Sequence, residues 1–254
     1  MAIRKKQLGK IVWLSLLSLI VAVMLVYYIS NKYEKPSFVH YPAFGIDLPA
    51  DYLIHGIDVS RHQSTIGWPA VQDMEVDYIK IGFVFIKATE GFGRVDDQFR
   101  RNWNGAARAG IPRGAYHFFI SSKSGKAQAE NFMSTVKLQP GDLPPVLDVE
   151  QTNGASITDI QQRVADWLQA VEKKYKCRPI IYTNANFYER YLAGRFDDYP
   201  LWVAHYLVKD KPRIGRNWSF WQHSETGRVN GIRNKVDFNV FNGDSTAFEN
   251  LKIK

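Results

Sequence analysis

Eight short apolar runs recur between residues 54 and 241, and their spacing constrains the fold more than any other feature of the chain. They cover Ile54–Val59, Phe83–Ala88, Gly114–Phe119, Pro145–Val149, Pro179–Thr183, Leu201–His205, Ser219–Gln222 and Val236–Phe241. Each has the length of a strand and falls short of a buried helix. The first five are each followed by a stretch able to form a helix. The clearest begins after Thr158, where T-D-I-Q reads as a capping box, and Ile160, Val164, Trp167, Leu168, Val171 and Tyr175 then share one helical face. Another is expected over Asp97–Ala109, with Gly110 as its C-terminal cap. After the sixth and seventh runs the connections are too short or too polar for a good helix. Strands joined by helical crossovers pair in parallel, so the expected class is α/β: a TIM-like (β/α)5β3 barrel, helix-poor in its last third. In such barrels the reactive groups gather at the C-terminal ends of the strands.

The segments around this domain carry their own signals. Residues 11–29 run nineteen positions without a charge, about 28 Å as a helix against the ~30 Å of a bilayer core. Arg4, Lys5, Lys6 and Lys10 make residues 1–10 a basic segment expected to stay in the cytoplasm. A single-pass transmembrane signal anchor is therefore expected, with the remainder outside the cytoplasmic membrane. The alternative is secretion after signal cleavage, but YYISNKYEKPS, which follows, offers no small-residue cleavage site. Residues 30–53, with Pro36, Pro42 and Pro49, read as a stem reaching at most ~80 Å. Residues 54–246 then form one domain and 247–254 a tail. The single Cys177 excludes an intramolecular disulfide and a multi-cysteine zinc site. Of the net charge of +8, four units precede the apolar segment, leaving a mild +4 that suits an acidic polymer as well as an ordinary soluble domain. No nucleic-acid motif is present, and His62, His117, His205 and His223 lack metal-ligand spacing. No metal or cofactor is expected, and a monomer is.

Polar residues end the apolar runs: Asp58, Thr89-Glu90, His117, Asp148 and Glu150, Tyr182, His205-Tyr206, Gln222 and Asp237. Asp148 and Glu150, two apart on a strand, project to one face about 6.5 Å apart at the backbone. Two carboxyls sharing a low-dielectric face cannot both ionise cheaply, so one should keep its proton near neutral pH. Cleavage of a glycosidic bond requires such an acid to protonate the leaving oxygen. An isolated D-x-E more often caps a strand or binds an arginine, Asp58 alone would be an N-cap, and Asp237 alone a turn residue. Their recurrence at separate strand ends raises the signal. Trp68, Tyr116, Phe118, Tyr182, Trp202, Tyr206, Trp218 and Trp221 lie near the same ends; about half of them are expected in the core, and the others offer faces on which a sugar ring can stack.

The segments GIDVSRHQ (56–63), FVFIKATEG (83–91), DQFRRNWNGAARAGIPRGAYHFF (97–119), PPVLDVE (144–150), PIIYTNANFY (179–188), LWVAHY (201–206), WSFWQHSETGRVNGI (218–232) and VDFNVF (236–241) together resemble glycoside hydrolase family 25, the Chalaropsis-type muramidases. The resemblance covers about residues 54–244. It implies a flattened barrel of eight strands and five helices, and hydrolysis of the β-1,4 bond between N-acetylmuramic acid and N-acetylglucosamine in peptidoglycan glycan strands. Position by position it implies Glu150 as general acid, Asp148 as the carboxylate beside it, and Asp58 and Asp237 as two further active-site aspartates. The substrate-binding set expected around them is Lys87, Glu90, Tyr116, His117, Tyr182, Trp202, Tyr206, Trp221 and Gln222. Two departures stand out: Ser64 where a glycine is usual, and Ile66-Gly67-Trp68 in place of I-D-W, which removes an acid from the cleft rim. Retaining enzymes hold their carboxyls ~5–5.5 Å apart and inverting ones ~6.5–9.5 Å, and an i, i+2 pair can satisfy either. A third route, attack by the substrate's own 2-acetamido group, is the favoured expectation. The competing functions are a membrane-tethered wall-binding module without catalysis and a hydrolase of another N-acetylhexosamine polymer such as chitin.

Overall fold

The structure, a computed structural model, describes residues 13, 16–26, 37–206, 208 and 210–254. Residues 16–26 are helical. Among the described residues no helix is long and apolar enough to cross a membrane. The rest of the expected anchor, apart from Trp13, lies outside the described residues, as do residues 1–10.

From Phe38 onward the chain is one unit. Its frame is a closed barrel of β1 (Ile54–Val59), β2 (Ile79–Glu90), β3 (Arg113–Phe118), β4 (Val146–Asp148), β5 (Ile180–Asn184), β6 (Leu201–Ala204), β7 (Phe220–Gly227) and β8 (Val236–Phe241). Neighbours from β1 to β7 pair in parallel. The last strand departs from the expected all-parallel sheet: β8 is antiparallel to both β7 and β1. Only residues 228–235 join β7 to β8, and a parallel return needs a dozen residues or more. This reversal turns the start of β8, not its end, toward the mouth of the barrel, where Asp237 pairs in register with Asp58.

Helices α1 (Trp68–Gln72), α2 (Phe99–Arg108), α3 (Gly125–Thr135) and α4 (Ile157–Tyr175) follow the first four strands, and a short helical segment, Ala185–Phe187 running into Tyr188–Leu192, follows the fifth. The expected order of helices is therefore present. The cap of α4 differs: Ser156, not Thr158, accepts from the Asp159 amide, and its hydroxyl also meets the Asp159 carboxylate at 3.0 Å. The helix thus starts two residues earlier than expected, on a serine side-chain cap. The α2 helix ends as expected, with Gly110 at φ +72°, where a side chain would be strained.

The alternation of side chains along each strand divides the core into two layers. Outward-facing Ile57, Val84, Ile86, Leu147, Ile181 and Val203 pack beneath the helices. Inward-facing Phe83, Phe85, Val146, Ile180, Trp202, Phe220 and Phe241 fill the barrel. Rings dominate this inner layer: Phe85 stacks on Trp202 at 4.5 Å and meets Phe220 edge-on at 5.1 Å. Glycines leave room for them, because a Cβ on Gly56 would lie 2.5 Å from the Phe83 ring and one on Gly114 2.5 Å from Phe85.

Two flanking segments belong to the domain. The expected stem is folded from Phe38: Phe38–Tyr41 and Ile46–Pro49 form an antiparallel hairpin. Its Phe44 and Leu48 are buried, Phe44 packs on Phe238, and Phe38 meets Trp221 edge-on. The hairpin is too short to show a periodicity by itself, and burial against the barrel stabilises it. The expected tail holds α5 (Ser245–Leu251), capped by Asp244, whose Phe248 closes the floor of the barrel against Phe83 and Phe241.

Candidate active site

Above the aromatic layer the inward positions turn polar. The same period of two that buries Gly56, Phe85, Gly114, Val146, Ile180, Trp202 and Phe220 brings Asp58, Lys87, Tyr116, Asp148, Tyr182 and Gln222 to the wall of a cleft of about 420 Å3. Asp237 enters from the reversed β8, and Glu150 from the turn after β4. The four carboxylates expected from the sequence thus meet in one cavity.

Their environments differ. Asp148 is almost wholly buried, and its proton affinity is pushed well up, first by loss of water and then by the charge of Glu150; Lys87 opposes both. Its Oδ1 is buried without a hydrogen-bond partner, so the site holds a strong acceptor whose donor is missing from the protein. Glu150 is more open, and burial raises its pKa against the pull of Lys87. Lys87 is pinned by Glu90 at 2.7 Å and sits 4.5 Å over the Phe118 ring.

Across the cleft, Asp58 and Asp237 form a second carboxyl pair. Burial and the Asp237 charge push Asp58 well above the usual carboxylate range. Asp237, raised chiefly by burial, stands at about 6. The contact between them acts oppositely on the two: it raises Asp58 further and lowers Asp237 against its burial, so the proton they share favours Asp58. The pair is held by amides: Gln222 Nε2 donates to Asp58 Oδ2 at 2.7 Å and Asn239 Nδ2 to the same oxygen at 2.8 Å. Tyr182 and Tyr206 hydroxyls donate to Gln222 Oε1 at 2.8 and 2.5 Å, and Trp202 Nε1 donates to Asn239 Oδ1 at 2.8 Å. Each amide is oriented by what donates to its oxygen, so the network locks the wall of the cleft.

Of the expected binding residues, Lys87, Tyr116, Tyr182, Trp202, Tyr206 and Gln222 line the cleft, while Glu90, His117 and Trp221 do not. Strand alternation explains two of these. His117 lies between inward Tyr116 and Phe118, bonds Thr89 and Gln128, and stacks on Trp167 of α4. Trp221 lies between inward Phe220 and Gln222, packs under the hairpin, and donates to the His205 carbonyl. Glu90 pins Lys87, adds its charge to those that raise Asp148, and also pairs with Arg94. Residues the sequence reading passed over also shape the site. Asn239 is one step inward of Asp237 on β8, and period two would have found it once the strand's direction was known. Ser60, His62 and Gln63 follow the end of β1, and Glu225 and Lys235 flank the β7–β8 turn; all five line the cleft. Among the described residues no group of three or more histidine, cysteine or acidic side chains is placed to hold a metal ion. The arrangement offers a carboxyl of raised proton affinity open to a ligand, a buried carboxyl oxygen without a partner beside it, and aromatic walls.

Comparison with known proteins gives one answer. The profile of Glycosyl hydrolases family 25 matches residues 57–232. The protein YegX of Escherichia coli K12 is 46% identical over 223 residues, covering 85% of this chain and 82% of that protein. Lysozyme M1 of Streptomyces globisporus is 39% identical over 215 residues, covering 78% and 71%. Among solved structures, a family 25 glycosyl hydrolase from Bacillus anthracis superposes with a TM-score of 0.73 at 31% identity, covering 85% of this chain and 97% of that one. The polar mouth of this barrel is therefore read within a known group: the chain belongs to glycosyl hydrolase family 25 and is a glycoside hydrolase.

Proposed function

We propose that the enzyme hydrolyses the β-1,4 bond between N-acetylmuramic acid and N-acetylglucosamine in peptidoglycan, with Glu150 as general acid and the substrate's 2-acetamido group as nucleophile. The observation that carries this reading is the buried, unpartnered Asp148 Oδ1 beside the more open Glu150, whose proton affinity burial raises. The name of the relative Lysozyme M1 supports a wall polymer as substrate. Glu150 gives its proton to the leaving oxygen as the acetamido oxygen attacks C1 and closes an oxazolinium ring. Asp148 Oδ1 accepts the amide N–H and offsets the positive charge that develops. That hydrogen bond favours the charged form of Asp148, against the burial that otherwise raises its pKa. Glu150, now a carboxylate, takes a proton from the water that opens the ring at C1, and two inversions restore the original anomer. Asp58 and Asp237, sharing a proton, limit the negative charge opposite the reacting sugar, and Tyr182, Trp202 and Tyr206 supply its walls.

The test is digestion of purified peptidoglycan and of chitin, with released ends identified by mass spectrometry. Reducing N-acetylmuramic acid ends from peptidoglycan are the expected product. Comparable cleavage of chitin would move the enzyme to other N-acetylhexosamine polymers, and binding without cleavage would make it a wall-binding module.

We further propose that residues 11–29 are an uncleaved signal anchor holding the barrel on the outer side of the cytoplasmic membrane, close to this substrate. The uncharged run and the four preceding cations support it. A mature N-terminus beyond residue 25 in the soluble fraction would replace the anchor by secretion.

A further inference from the structure

Beside the cleft lies a second hollow of about 730 Å3, lined by Ala43 and residues 228–235. Lys235 lines both cavities, so the two adjoin at its side chain. The hollow carries Arg228, Arg233 and Lys235 and has no acidic side chain in its lining. All three cations are exposed, none is in an ion pair among the described residues, and the Lys235 amine meets only the Thr226 carbonyl. The acids that flank the loop along the chain, Glu225 and Asp237, line the cleft and not the hollow.

Three unpaired cations on eight residues repel one another, and a loose loop would spread them. This one is tied down. Gly67 N donates to Gly231 O at 2.9 Å, and Arg228 N to Phe44 O at 2.8 Å. Gly231 sits at φ +87°, where a Cβ would lie 2.4 Å from the Gly67 carbonyl oxygen, so only glycine permits this approach. Asn234 Nδ2 donates to His62 O at 2.5 Å and Gln63 Nε2 to Lys235 O at 2.9 Å, which fixes the loop to the turn that lines the cleft. Val229 and Ile232 are buried beneath it. A preordered set of free cations opening onto a glycan cleft matches a ligand with several negative charges on the same polymer.

We propose that residues 228–235 extend the cleft into a subsite for the carboxylates of the peptides that substitute wall glycan. Arg228 and Arg233 then pair with peptide carboxylates while the sugar chain occupies the cleft. The enzyme consequently favours peptide-bearing strands over bare ones. This rests on the reading that peptidoglycan is the substrate.

The experiment compares wild type with Arg233→Gln and Arg228→Gln/Arg233→Gln on walls freed of phosphate polymers, either intact or stripped of peptides by an amidase. Wild type is expected to show a kcat/KM about tenfold higher on peptide-bearing glycan, the size of one charge-assisted contact. The double variant should lose that preference, keep its rate on bare glycan, and respond less to salt. An equal preference in wild type and double variant, with both substrates cleaved, overturns the inference and leaves the hydrolase reading intact. A preference seen only on walls that retain phosphate polymers also overturns it. If wild type cleaves neither substrate the hydrolase reading has failed, and retention on peptide-bearing against bare glycan, with and without the two arginines, still decides the inference.

Discussion

The carboxyl pair at the closing strand should cost the fold stability, and Asp237→Asn measures how much. In the folded protein Asp237 is raised to about 6 from 3.8, chiefly by burial. Below pH 3.8 both the folded and unfolded states hold the proton, and the group adds nothing to the balance. Between the two values the folded state keeps a proton that the unfolded state releases, so stability falls as pH rises. Above about pH 6 the full difference applies: roughly two units at 1.36 kcal/mol each, about 3 kcal/mol, trimmed to about 2–3 by the water that reaches the mouth. Asparagine keeps the shape and removes the charge, and it also relieves the repulsion that raises Asp58. Urea unfolding followed by tryptophan fluorescence at pH 4 and pH 8 reads the effect. The variant should be more stable than wild type by about 2–3 kcal/mol at pH 8, with the gain largely gone at pH 4. A variant that is destabilised at pH 8, or equally changed at both pH values, refutes the argument that burial of this pair strains the fold.

Three further outcomes follow from the same geometry. Glu150→Gln should fold normally and lower kcat by at least ~10²-fold, and the wild-type rate should fall as pH rises through the elevated Glu150 pKa; a folded variant of undiminished rate removes Glu150 from the acid's role. Asp148→Asn should reduce kcat much more than it raises KM, and proton NMR of wild-type digests should show the original anomer first; the opposite anomer would point to direct attack by water, and a glycosyl adduct on Asp148 to a protein nucleophile. Phe248→Ala, which opens the floor of the barrel far from the cleft, should cost about 3–5 kcal/mol in urea unfolding yet leave kcat unchanged below the transition, and a loss smaller than 1 kcal/mol would mean that α5 does not close the core.

Much of this protein is legible one segment at a time. The runs Ile54–Val59 and Val236–Phe241 are strands with the boundaries their apolar patterns give, and Gly110 ends its helix, because side-chain period and cap chemistry act over a few residues. Asp148 and Glu150 share a face for the same local reason. Other features have no local signature. The hairpin Phe38–Pro49 reads as a stem because its strands are only four residues long, and what holds it is contact with Phe238 and Trp221 nearly two hundred residues away. His117 and Trp221 carry the right chemistry on the wrong side of their strands, which the alternation around them settles once the barrel exists. The direction of β8 was the decisive unknown: a short connection and the need to close the sheet reverse it, and only then do Asp237 and Asn239 reach the mouth. Asp58 is held by Gln222 and Asn239, 164 and 181 residues further along the chain. Periodicity belongs to a segment, so the sequence by itself determined strands, helices and the carboxylates worth watching. Proton affinity and orientation belong to a neighbourhood, and only the closed barrel decided those.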